Sequence, residues 1–457
     1  MLLPEQWEQI YLGELAALKT GPFGSTLHKS DYRTGGIPIV NPMHIVGGKI
    51  VPSSASTIAP EMAERLSEFR LQRGDVVLGR RGEMGRCAVV GEAEHGWLCG
   101  TGSLIVRPGT ALDPHYLQRF LSSPAVVSRL GKASVGSTMV NLNQRILLEL
   151  EVPTPPLIEQ KRIADKLDAV LAQVDACRER LDRVQALLKH FRQAVLAAAI
   201  SGKLTEEWRE ERNKDGSTWE DTSVGTLIRG IEAGINFQCE ERPPAPDERG
   251  LVKISAVTWG VYDDNESKTL PPTREVPEAT RIVVGDFLLS RANTLELVGA
   301  CVLVDKVTRP VYLSDKVLRL VMSEEYKKWL LFWLRSQNGR KQIEQLASGN
   351  QLSMRNLSQA NLKTIAVRLP PSDERAEIVR RVETLFTYAD RLEARYTSAH
   401  TQVERLTPAL LAKAFRGELV PQDPNDEPAS VLLERIRAAR AAAGEKPPRK
   451  VRLRGSP

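Results

Sequence analysis

The chain has no apolar run approaching the ~20 residues of a membrane helix, and its start, MLLPEQWEQI, lacks a charged segment followed by an apolar stretch. Its five cysteines, Cys87, Cys99, Cys177, Cys239 and Cys301, are odd in number, scattered and never in a CxxC pair. Free thiols in a reducing, cytoplasmic setting are the expectation. The six histidines, His28, His44, His95, His115, His190 and His400, show no HExxH or other metal spacing. The glycine-rich GRRGEMGR at 79–86 lacks the lysine and following hydroxyl of a phosphate-cradling loop. Asn41-Pro-Met-His44 lacks the second proline and the aromatic of an adenine-methylating loop. No catalytic residue, metal site or cofactor is therefore expected, and any chemistry is assigned to partners.

What the chain does contain is a repeat. Residues 155–204 return at 370–419, 215 positions further on and without a gap: Pro155, Pro156, Glu159, Ile163, Asp175, Leu196, Gly202 and Leu204 fall on Pro370, Pro371, Glu374, Ile378, Asp390, Leu411, Gly417 and Leu419. Alternate steps of four and three from Ile163 reach Leu167, Val170, Val174, Cys177, Leu181, Val184, Leu188, Phe191 and Val195. The same steps from Ile378 reach Val382, Leu385, Ala389, Leu392, Tyr396, Ala399, Val403, Leu406 and Leu410. That 3.5-residue period predicts two long helices, each with one apolar seam that needs a partner. Pro408 interrupts the second and is expected to kink its last turns. Leu171, Leu187, Ile200, Phe386 and Phe415 lie off the seam and either widen the pair's own core or face a docking partner.

The globular parts repeat more loosely. Trp7-Glu8 and Leu12-Gly-Glu-Leu15 match Trp219-Glu220 and Val224-Gly-Thr-Leu227; Gly74-Asp75 matches Gly285-Asp286; Asn141-Leu-Asn-Gln144 matches Asn356-Leu-Ser-Gln359. In the first part Asp75–Gly79 and Cys87–Val90 read as strands joined by the glycine-rich connection, and 113–130 reads as a helix. The expected organisation is a globular domain at 1–154, a long helix at 155–204, a polar linker at 205–218, a second globular domain at 219–369, a second long helix at 370–419, and a short terminal helix with a basic tail at 420–457. The fold class is α+β: two mixed α/β heads separated by a long antiparallel two-helix coiled coil, a tandem repeat with pseudo-two-fold symmetry. A length of 457 residues fits several domains. The net charge of +6 leans mildly toward an anionic partner.

The opening LPEQWEQIYLGEL, the segment GGIPIVNPMHI, LQRGDVVLGRRG followed by CAVV, and above all NLNQRILLELEVPTPPLIEQKRIADKL resemble the DNA specificity subunit of type I restriction-modification systems. The resemblance covers essentially the whole chain and is looser in the second half, where PPSDERAEI stands in place of PPLxEQxxI. It implies two target recognition domains, each reading half of a split site in double-stranded DNA. It also implies a helix pair that docks two modification (methyltransferase) subunits, with restriction and translocase subunits added for cleavage. The other readings are an orphan DNA-binding protein without a methyltransferase and a coiled-coil adaptor whose heads bind protein.

Base reading needs donors and acceptors in the groove, supported by cations on phosphates. The candidates in head 1 are Lys19, Ser25, Thr26, His28, Lys29, Arg33, Arg80, Arg81, Arg86, Lys132, Ser134, Ser137, Thr138 and Asn141. In head 2 they are Lys253, Ser255, Thr258, Arg291, Asn293, Thr294, Ser314, Lys316, Ser348, Asn350, Gln351 and Arg355. Arg80 and Arg81, two arginines on a glycine-flanked turn, stand out because they can approach a duplex without steric cost.

Overall fold

The computed structural model describes residues 3–22, 26–133, 142–212, 219–351 and 354–442. They form two compact units, Met1–Leu181 with Ser398–Pro457, and Asp182–Thr397. Each contains one head and portions of both long helices, Leu157–Ile200 and Ser372–Ala414.

The centre of each head is a four-stranded antiparallel sheet. In unit 1 its order is Ala16–Thr20, Ser103–Pro108, Val76–Gly79, Cys87–Val89, and in unit 2 Ile228–Ala233, Val317–Met322, Phe287–Ser290, Cys301–Leu303. The inner strands are almost wholly apolar, Arg107 and Arg319 being the charged exceptions, because both sheet faces are covered. Val76 and Leu78 enter a core with the helices, whereas Val77 between them enters the core under a second, smaller sheet. In unit 2 Phe287 and Leu289 face one core and Leu288 the other. This is the two-residue strand period with a hydrophobic layer on each side. The sheets are closed at equivalent places by ion pairs: Arg107 Nε lies 2.7 Å from Asp75 Oδ1, and an Arg319 guanidinium nitrogen 2.9 Å from Asp286 Oδ2.

The second sheet of unit 1 is mixed, in the order Leu98–Cys99, Ile37–Val40, Thr57–Ile58, Tyr32–Arg33. Its counterpart runs Ser267–Thr269, Gly250–Val252, Val311–Tyr312. Backbones approach closely where the sheets meet. A Cβ on Gly21 would sit 2.0 Å from the Gly100 carbonyl oxygen, and one on Gly234 1.6 Å from that of Leu313, so no other residue fits either place.

The stretch 113–130 divides into two helices, Pro114–Leu121 and Pro124–Ala133. Pro124 cannot continue the first but is preorganised to begin the second. Part of the expected linker is ordered too: Glu206–Glu210 is helical and buries Trp208.

The long helices run antiparallel within each unit. In unit 1 Ile163, Leu167 and Leu171 share a core with Leu411 and Ala414, and Arg178 Nε bonds Glu404 Oε1 at 2.7 Å. In unit 2 Val195, Leu196, Ala199 and Ile200 share one with Ile378 and Val382, and an Arg192 guanidinium nitrogen lies 2.8 Å from Asp390 Oδ1. The seam is buried or half-buried at every predicted position except Cys177 and Leu406, which are exposed. The helix continues through Pro408 to Ala414. Leu171 and Ile200 belong to the packed cores, Phe415 makes edge contacts with Tyr116 and Phe120, and Phe386 with Phe332; Leu187 stays exposed.

Each head is pinned to the first turn of the long helix that follows it. Trp7 Nε1 donates to Glu159 Oε2 and Trp219 Nε1 to Glu374 Oε2, both at 3.0 Å. Glu374 also accepts from Thr205 Oγ1 at 2.8 Å and pairs with Arg209; Glu159 is approached by Gln422 Nε2 at 3.5 Å. Burial raises the Glu159 pKa above its ordinary value, against the lowering bonds from Trp7 and Gln422. A carboxyl whose folded pKa is raised costs stability as pH climbs from its unfolded toward its folded value. Glu159→Gln, whose amide oxygen still accepts from Trp7, is therefore expected to gain stability relative to the parent as pH rises above the ordinary carboxylate range; thermal unfolding at acidic and at neutral pH tests it. Glu374→Ala leaves the mostly buried Arg209 unpaired and should cost about 3 kcal/mol in denaturant unfolding.

Candidate nucleic-acid interface

The glycine-rich connection is a hairpin end. Val76 pairs with Val89 and Leu78 with Cys87, which places Arg80 and Arg81 just beyond the paired strands. The two arginines part company there. The Arg80 N–H donates to the Gly102 carbonyl at 2.9 Å and its carbonyl accepts from Leu142 N at 2.9 Å, so Arg80 is built into the head and only 9% exposed. Burial, with repulsion from Arg81 second, lowers its pKa. Arg81 is exposed. Arg86 is spent on Glu83, its Nε 2.7 Å from Oε2.

The remaining candidates of head 1 divide the same way. Lys19 pairs with Glu68 and lies over the Phe69 ring. Thr26, His28, Lys29, Arg33 and Lys132 are exposed. The His28 N–H donates to Asp31 Oδ2 at 2.7 Å, which fixes the turn Lys29–Asp31 beside Arg33. Ser25, Ser134, Ser137, Thr138 and Asn141 lie outside the described residues. Arg33 and Arg81 are linked through one turn: Asn41 Nδ2 donates to Tyr32 Oη at 3.3 Å, and Pro42 lies against Gly79 and Gly102, where an added Cβ would meet it at 3.2 and 3.0 Å.

Head 2 gathers more of its set. The strand Ala292–Asn293 pairs with Met354–Asn356, setting Asn293 opposite Arg355, and that strand pairs with Ser348–Gln351. Asn293 Nδ2 reaches Thr258 Oγ1 at 3.5 Å, while the Arg291 N–H donates to the Lys316 carbonyl at 2.9 Å. Thr258, Arg291, Asn293, Lys316, Ser348 and Arg355 thus belong to adjoining elements, with Thr294 exposed beside Asn293. Arg355 is turned inward, donating to the Gly349 carbonyl at 2.7 Å. Ser314 is buried, Ser255 bonds Glu266 Oε2 at 2.6 Å, and Lys253 is half-buried. The side chains of Asn350 and Gln351 lie outside the described set.

The backbone of Arg291 holds the place that Arg80 holds in head 1, because Leu357 N donates to its carbonyl at 2.8 Å as Leu142 N does to that of Arg80. Sequence reasoning missed Met43, Val46, Trp259 and Val261, large apolar side chains that stand exposed on the turns next to these strands. Apolar runs look alike whether they enter a core or leave it, so the sequence carried no signal for them.

Among the described residues no group of three or more His, Cys, Asp or Glu could hold a metal ion, and no helix is long and apolar enough to cross a membrane. Burial raises the thiol pKa of Cys87, to about 12, and that of Cys301, which suits inert packing groups.

A duplicated α/β head on a long helix, with basic and amide side chains at its loop ends, places the chain in a known class. Residues 4–186 match the family model of the type I restriction modification DNA specificity domain. The chain is 31% identical over 441 residues to the type I restriction enzyme EcoKI specificity subunit of Escherichia coli K12, covering 92% of this chain and 91% of that one. It belongs to the family of type I restriction enzyme specificity subunits, which are non-catalytic. The StySPI specificity subunit of Salmonella potsdam is 30% identical, with 97% of each chain covered. The fold is shared with the HsdS subunit of Thermoanaerobacter tengcongensis (TM-score 0.54, 18% identity, 92% and 99% covered). It is shared too with a chain solved to explain complex assembly and conformational transition of the type I R-M system (TM-score 0.62, 19% identity, 92% and 100% covered).

Removing one exposed cation from a phosphate contact weakens binding evenly across sequences. Arg81→Ala is expected to lower duplex affinity and to reduce the slope of log affinity against log salt by about one. The unfolding midpoint should not move; affinity unchanged across the salt series would remove Arg81 from the interface.

Proposed function

We propose that the two heads read the two halves of a gapped DNA target and that the long helices hold the halves a fixed distance apart. The observation carrying this reading is the duplicated junction. Trp7 with Glu159 and Trp219 with Glu374 fasten equivalent heads to equivalent first turns of two long helices. A helix of 44 residues measures roughly 66 Å at about 1.5 Å per residue, close to two turns of B-DNA at about 34 Å each. Heads carried near its two ends could then enter grooves one to two turns apart, leaving the bases between them unread. In this reading Arg81 and Arg33 in head 1, and Asn293, Thr294, Lys316 and Ser348 in head 2, meet the duplex.

The pair of helices would present matching faces to two modification subunits, which supply the methyl transfer, while restriction and translocase subunits complete the nuclease. Leu187, exposed on the first helix, and Tyr388, exposed on the second, are apolar points for such docking.

Methylated adenines mapped genome-wide in cells carrying this chain with its modification subunit should fall in a split motif; a continuous motif would overturn the two-headed reading. Insertion of one heptad into each long helix adds about 10 Å and should widen the unread gap by roughly three base pairs while both half-sites stay the same. An unchanged gap would show that the helices do not set it.

A further inference from the structure

The turn that leaves the earlier strand of the parallel pair in the small sheet carries a large exposed apolar side chain in both heads. Parallel pairing sets Ile39 opposite Leu98 and Val40 opposite Cys99 in head 1, and Gly250 opposite Val311 and Leu251 opposite Tyr312 in head 2. These pairings make the turns Pro42–His44 and Ser255–Thr258 counterparts. Met43, on the first, is 72% exposed; Trp259, just after the second, is 77% exposed. No sequence identity connects them, so the shared feature is the position and the apolar bulk.

Both turns are fixed from beneath. His44 is buried, and its Nδ1 accepts from the Asn41 N–H at 3.1 Å. Ala256 and Val257 are buried in the core of head 2. The Arg335 guanidinium donates to the Gly260 carbonyl at 2.6 Å and to that of Cys301 at 2.7 Å, tying the residue after Trp259 to the central sheet. Val261 is exposed beside Trp259 as Val46 is beside Met43, so each braced turn offers a partner more than one large apolar side chain rather than a single exposed residue.

The neighbours of these turns decide which partner. Pro42 touches Gly79 and Gly102 beside Arg81; Thr258, the residue before Trp259, accepts from Asn293 next to Arg291. An apolar protrusion flanked by cations and amides fits a polyanion with apolar edges, and duplex DNA offers phosphates beside deoxyribose C–H groups and thymine methyls. We infer that Met43 and Trp259 are apolar contact residues for the duplex, one per head, packing on sugar and base edges and discriminating bases in the half-site that each head reads. This rests on the two-headed reading above. It differs from the cationic contacts in a measurable way, because an apolar contact displaces no counterion and leaves the salt dependence unaltered.

The test uses the full chain co-purified with the modification subunit of its own system. Duplexes are selected from a random library by the parent complex, then by complexes carrying Trp259→Ala, Trp259→Phe or Met43→Ala. Trp259→Ala should bind the parental motif at least about fivefold more weakly, keep the slope of log affinity against log salt, and relax base preference in one half-site only. Met43→Ala should relax the other half-site, and Trp259→Phe should retain most of the affinity. Parental affinity and motif in Trp259→Ala, or a reduced salt slope with the motif intact, overturns the inference. If the parent complex itself enriches no split motif, the two-headed reading fails and the inference goes with it. Thermal unfolding of each variant separates loss of contact from loss of fold, and Trp259→Gln repeats the test with a polar side chain should the alanine variant unfold.

Discussion

The buried hydrogen bond from an indole N–H to a carboxylate, made once in each unit, is the constraint on which the rest of the molecule depends. A carboxylate removed from water is costly unless donors surround it. Glu374 has a head tryptophan on one side and Thr205 with Arg209 on the other, whereas Glu159 has a head tryptophan and the longer contact from Gln422, which offset its burial only in part. The first junction therefore joins three stretches of chain remote in sequence, around Trp7, Glu159 and Gln422, and the second joins the stretch from Thr205 to Trp219 with Glu374. The heads can diverge in their loops because their attachment does not involve those loops.

The central sheets extend the same economy. An inner strand such as Val76–Gly79 has no polar face, since helices cover one side and the small sheet the other. Side chains available for recognition are consequently confined to strand ends and turns, where the hairpin of Arg81 and the ribbon of Asn293 lie. The sheet supplies rigidity, and the loop ends supply chemistry.

The long helices were legible in the sequence because an apolar period of 3.5 residues, kept over nine steps, fits a helix paired along a seam and fits neither a strand nor a loop. The duplication followed from direct comparison of the two halves. The strands at Asp75–Gly79 and Cys87–Val90 were visible through their β-branched residues and flanking glycines. The break at Ser122-Ser123-Pro124 was masked by apolar spacing that continues across it. The candidate site was legible as a set of loops but not as side chains. Arg80 and Arg81 are chemically identical neighbours, and only backbone pairing with Gly102 and Leu142 draws one inward. Lys19 is engaged by Glu68, which only folding brings near, while Arg86 and Arg355 are turned by local geometry onto Glu83 and the Gly349 carbonyl. Trp259 sits in AVTWGVY, a run that reads as core.

The two units differ in how their pieces are distributed along the chain. Unit 2 is one uninterrupted stretch, Asp182–Thr397, whereas unit 1 needs Ser398 onward to finish it. Arg162 meets Asp426, Gln422 approaches Glu159, and Leu433 enters the core beside Trp7. The apolar surface that Leu433 covers in the first head thus belongs to a unit whose residues are not all made until well after those of the second. The unit begun first along the chain is the one whose residues are complete last.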